Sequence, residues 1–74
     1  MSRMMEAASE VAGTVLEVTA SLGATLAEGD QILVLESMKM EIPVLAPAAG
    51  RLVEVFATEG ESVAEGQVLA RIEV

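Results

Sequence analysis

Cysteine, histidine, tryptophan and tyrosine are absent from this 74-residue chain, and Phe56 is its single aromatic residue. Each absence removes a class of chemistry. Without Cys and His there is no ligand set for a zinc site of the usual kind, so no metal site is expected. Without imidazole there is no Ser–His or Cys–His nucleophile, so no catalytic residues are expected either. Basic residues are scarce as well. Arg3, Arg51, Arg71 and a single lysine, Lys39, stand against 12 acidic residues, a net charge of −8. Such a surface repels phosphate, and nothing stacks on bases, which excludes nucleic acid as a partner. The same charge favours solubility and disfavours anionic membrane surfaces.

Long hydrophobic runs are also missing. The apolar runs are short, Ile32 to Leu35 among them, and none approaches a membrane span. Met1-Ser2-Arg3-Met4-Met5-Glu6 has no sustained apolar segment after its arginine, so no signal peptide is expected and the protein reads as cytoplasmic. What is present is 53% apolar, too hydrophobic for disorder. The length allows one domain, whose core must close by packing alone.

The glycines organise the chain. All six fall into pairs 37 residues apart: Gly13 with Gly50, Gly23 with Gly60, Gly29 with Gly66. From Gly13 to Glu36, nine of 24 positions are identical to their partners without a gap, so one structural unit is used twice. Two copies are too few for a solenoid and suit a closed fold with a pseudo-two-fold axis. Positions apolar in both copies are the expected core: Val15, Leu16, Val18, Leu26, Ile32 and Leu35, with their partners. Glutamates shared by both copies belong on the wet face.

Each copy reads as short strands. Gly13 to Thr19 is rich in β-branched residues. Gln31 to Ser37 is apolar and follows the turn signal Glu28-Gly29-Asp30. Arg51 to Phe56 and Val68 to Val74 repeat these strands. Shorter ones are expected around Thr25-Leu26 and Ser62-Val63, and another run spans Glu41 to Ala46. Many short strands with regular turns predict a small antiparallel sandwich or barrel. Pro43 places its own strand at an edge or irregularity.

The seam between the copies is Ser37-Met38-Lys39. If a tight hairpin joins them, the two-fold operation brings the two ends of the chain together at the opposite pole. Met-Lys lacks the Asn-Gly chemistry usual for a two-residue hairpin, so the turn itself is unexplained at this level.

Glu36-Ser37-Met38-Lys39-Met40-Glu41-Ile42-Pro43, at the centre of this repeat, resembles the modification site of biotinyl domains. The resemblance extends from about Val11 to Val74 and is closest to small stand-alone biotin/lipoyl attachment proteins and biotin carboxyl carrier subunits. It implies an all-β flattened barrel of two four-stranded antiparallel sheets over residues 9–74, with 1–8 a flexible N-terminal segment. It implies biotin on Lys39, and ligase recognition through Glu36, Met38 and Met40. It also implies a non-catalytic carrier, a monomer in isolation, whose partners are a biotin protein ligase, a biotin carboxylase and a carboxyltransferase. The carried group would be a carboxyl, moved within a carboxylase such as an acyl-CoA carboxylase. The sequence departs from the pattern at Ser37, where many carriers have Ala. It also lacks a Pro-Met-Pro-Gly before the first long strand, and has no room for a thumb insertion between Val18 and Asp30. Two alternatives stay open: a lipoyl or dual biotin/lipoyl carrier on the same fold, and an unmodified interaction module. Lipoyl domains usually have Asp before the lysine and Ala or Val after it.

Overall fold

The computed structural model describes residues 3–74, and every regular element in them is a strand. In chain order these are β1 (Met4–Ala8), β2 (Gly13–Val18), β3 (Thr25–Leu26) and β4 (Gln31–Ser37), then β5 (Met40–Leu45), β6 (Gly50–Val55), β7 (Ser62–Val63) and β8 (Val68–Glu73). Among the described residues no helix is long and apolar enough to cross a membrane. The strands make two four-stranded antiparallel sheets, ordered β1-β8-β6-β3 and β5-β4-β2-β7. A shift of 37 residues turns the first order into the second, strand for strand. The repeat is therefore the symmetry of the fold, and each sheet takes strands from both copies.

The core follows from the two central strands, β4 and β8. Ile32, Leu33 and Leu35 of β4 and their equivalents Leu69, Ala70 and Ile72 of β8 have no exposed surface. Val15, Leu26, Leu52 and Val63 close the space between the sheets. Each Leu or Ile withdrawn from water in this way contributes about 1.5–3 kcal/mol. Leu33 and Ala70 occupy equivalent positions with unequal volumes.

Two expectations require correction. Leu16, placed in the core by its apolar partner Val53, is instead 40% exposed. Leu16 follows the buried Val15, so strand alternation turns it outward, and the β2–β4 register slip between Val15 and Glu17 keeps Glu17 outward as well. The same irregularity falls between Leu52 and Glu54, leaving Val53 half-buried. The second concerns the segment 1–8. Residues 1 and 2 lie outside the described residues, but Met4–Ala8 are not a flexible tail. They pair with β8, Met5 opposite Ile72 and Ala7 opposite Ala70, and Ala7 is buried. Met-Met-Glu-Ala-Ala carries no β-branched residue, so its strand state comes from the partner rather than from propensity.

Pro43 sits in β5, an edge strand, where a missing N–H costs no ladder bond. On the other sheet, Arg51 pairs with Glu73 at 3.0 Å, and Arg71 pairs with Glu54 at 3.0 Å and Glu6 at 3.7 Å. Its hydrogen bond to Glu54, with a smaller contribution from Glu6, holds the Arg71 guanidinium more firmly protonated than usual. No strand of the sheet β5-β4-β2-β7 carries an arginine or lysine.

Candidate functional site

Ser37 pairs with Met40, which leaves Met38 and Lys39 as the two central residues of the β4–β5 hairpin. Their φ angles are 53° and 65°, the positive pair that a type I′ turn demands. The twist of such a turn matches that of the strands, which answers the question the sequence left open. The cost is steric: an L-residue in the left-handed region loses about 1–2 kcal/mol. The six paired positions from Gln31–Leu45 to Ser37–Met40 hold the two residues there. Asn tolerates this region better than Met. Met38→Asn is therefore expected to stabilise the domain by roughly 0.5–1 kcal/mol, raising Tm by about 2–8 °C in a thermal melt followed by circular dichroism. An unchanged or lower Tm would show that the turn carries no such strain.

The base of the hairpin is fixed by two residues to which the sequence assigned no role at the site. Ser37 Oγ donates a hydrogen bond to the Ala12 carbonyl at 2.9 Å, tying β4 to the loop before β2. Gly13 lies against the same place: a Cβ there would sit 2.5 Å from the Glu36 carbonyl oxygen. The hydroxyl of Ser37 and the bare backbone of Gly13 thus clamp the last residues of β4. The bond from Ser37 to Ala12 spans 25 residues of sequence, so no local pattern reveals it.

All four candidate residues gather at this turn. Met38 is 88% and Met40 57% exposed, so both thioethers face outward rather than filling the core. Lys39 is exposed, and among the described residues it enters no ion pair. Glu36 lies on β4 between Thr14 and Glu41. Its repeat partner Glu73 is opposite Arg51 and binds it, but in the first copy Thr14 replaces that arginine. Glu36 is therefore left exposed at the lysine pole, with Glu41 beside it. Lys39 is the one cation of the hairpin.

The opposite pole is defined by the main chain. Val74 N–H donates to the Arg3 carbonyl at 2.8 Å, so the ends of the described chain lie together. The C-terminal parts of β1 and β5 line one groove of about 490 Å³, through Ala7, Ala8, Val44 and Leu45. Those strands are related by the two-fold, so their first residues, Met4 and Met40, point to opposite ends of a body 39 Å long. None of residues 37–41 lines that groove. Lys39 is therefore outside that groove, and among the described residues no cluster of acidic side chains could hold a metal ion. What the turn offers chemically is a primary amine on a long stem, open to acylation and fixed at its base.

Comparison with known proteins gives three findings. The model of the Biotin_lipoyl family, described as biotin-requiring enzyme, matches residues 1–72. The chain is 55% identical over 42 residues to a biotinylated protein TB7.3 homolog of Mycobacterium leprae, covering 57% of this chain and 59% of that relative. It therefore spans little more than half the length of that small relative. It is 41% identical over 61 residues to the biotin-dependent acyl-coenzyme A carboxylase alpha3 subunit of the same organism, covering 82% of this chain and 10% of that subunit. Among solved structures, the urea carboxylase of Kluyveromyces lactis superposes with a TM-score of 0.92 at 27% identity, over 95% of this chain and 6% of that one.

Proposed function

The chain belongs to the biotin-requiring enzyme family, and from that membership we propose that it is a biotin carboxyl carrier in which biotin is amide-linked to Lys39. One observation carries the reading. The single lysine of the chain occupies the exposed turn at the seam of the repeat, between two outward-facing methionines.

The residues fit the group. The Nζ of Lys39 is unpaired among the described residues, so no ion pair has to be broken before it acts as acyl acceptor. A biotin protein ligase supplies the activated carboxyl of biotin. Nζ forms the C–N bond, the leaving group departs on the ligase and the amine proton goes to solvent. Met38, Met40 and Glu36 are the surface that ligase reads. Held on Lys39, biotin would supply carboxyl-transfer chemistry between a biotin carboxylase and a carboxyltransferase, as in an acyl-CoA carboxylase. The chain contributes no catalytic side chain. Its part is reach and effective concentration: the arm swings from a clamped base, so each partner's site meets the ring at a far higher concentration than free biotin offers. We place this work in the cytoplasm.

The test is the intact mass of the protein after co-expression with biotin ligase and, separately, with lipoate ligase. A single biotinyl adduct is expected in the first case and none in the second. A lipoyl adduct alone would move the chain to the lipoyl carriers. No adduct with either ligase would leave an unmodified interaction module.

A further inference from the structure

We propose that Met38 and Met40 form an oxidation-sensitive gate on the acylation of Lys39. The inference rests on the carrier reading above, and extends it to regulation of the same site.

Susceptibility of methionine to peroxide follows exposure of its sulfur. Met38 is 88% and Met40 57% exposed, against 49% for Met4, which lies at the opposite pole from Lys39, while Met5 is only part-exposed on β1, opposite Ile72 of the core strand. The chain has no cysteine, tryptophan, tyrosine or histidine to take the oxidant first. A peroxide arriving at this surface therefore meets the two thioethers that flank the lysine. The sulfur lone pair attacks one peroxide oxygen and the O–O bond breaks. The sulfur gains that oxygen and is oxidised by two electrons, and the other oxygen leaves as water after taking up the proton. The product side chain is polar and chiral, where a ligase would otherwise find two flexible apolar groups. Since neither residue is part of the core, oxidation leaves the fold intact and changes the recognition surface alone. Methionine sulfoxide reductases, drawing on a dithiol, restore the thioether, with one enzyme needed for each sulfoxide epimer.

The experiment treats the unbiotinylated protein with dilute hydrogen peroxide and quenches with catalase. Cleavage after glutamate then releases residues 37–41 as one fragment holding both methionines. Sulfoxide is expected in that fragment at least about three times faster than at Met5. The oxidised protein should keep its far-UV spectrum and accept biotin from ligase about tenfold more slowly, and treatment with both reductases should restore the rate. The double variant Met38→Leu/Met40→Leu, whatever its starting rate, should lose nothing further to peroxide. Oxidation of Met5 ahead of Met38 and Met40 would overturn the proposal, as would a ligase rate unchanged by complete sulfoxide formation. If untreated protein accepts no biotin, the carrier reading falls instead, and with it the gate.

Discussion

Lys39→Arg takes up no biotin: co-expressed with biotin ligase, the variant is expected to show its unmodified mass alone, where the parent protein shows a biotinyl adduct. The effect is all-or-none for chemical reasons. A guanidinium keeps its proton under any physiological condition and has no free lone pair to attack an acyl group. The substitution keeps the charge, most of the stem length and the turn position at a φ of 65°, which Arg occupies no less readily than Lys. Tm and the far-UV spectrum should therefore be those of the parent. With no second lysine in the chain, no other side-chain amine can take over. A biotinyl adduct on the variant would place the attachment elsewhere, at the α-amino group first of all, and would remove the role assigned to the turn.

Gly50→Ala should do the reverse, leaving the turn intact in sequence while the domain fails to hold. A Cβ at residue 50 would press on the Glu73 carbonyl oxygen and come within 2.6 Å of Ile72 Cγ2. Neither neighbour can yield cheaply. One is main chain within the ladder between β6 and β8, and the other belongs to a side chain with no exposed surface. Overpacking of this kind costs about 1–3 kcal/mol, and the backbone contact puts this site at the upper end. Stability for 74 residues is of the order of 4–11 kcal/mol, so the loss is a large share of it. Tm should fall by about 10–20 °C. Circular dichroism is the suitable probe, because the chain has neither tryptophan nor tyrosine to report by fluorescence. A Tm within a couple of degrees of the parent would show that β6 and β8 separate there with little penalty.

These two positions also mark how far the sequence could be read. The glycine pairs were visible because each answers a backbone demand that other residues meet poorly: positive φ at Gly23, Gly29, Gly60 and Gly66, close approach at Gly13 and Gly50. That made the repeat, most of the strands along the chain and Lys39's address legible. Leu16's place was not, since a residue apolar in both copies can still fall on the outer face of its strand, as alternation after the buried Val15 requires. Strand β1 was hidden for a related reason: Met-Met-Glu-Ala-Ala has no strand preference and is recruited by β8. At the site, the residues that stand out in the sequence, Lys39 and its methionines, are those that meet solvent. Ser37 and Gly13, which fix the base of the hairpin, act through contacts formed only after folding. Glu36 gained meaning only beside Glu73: equal in sequence, the two differ because Thr14 stands where Arg51 stands in the other copy.

The interleaving of the two copies has a consequence for the timing of synthesis. Strand β4 can pair with β2 and β5 as soon as these emerge, but the apolar faces of Leu33 and Leu35 have no lid until β6 and β8 exist. A ribosome adding about 5–20 residues per second needs roughly 2–7 s to deliver the 35 residues that follow Lys39. During that interval the first copy is an open sheet with its lysine already made. The clamp at Gly13 and Ser37 belongs to a sheet that is completed only by β7, and β1 waits for the last strand of all. A ligase that requires the folded turn would therefore act only after β7 and β8 have been made.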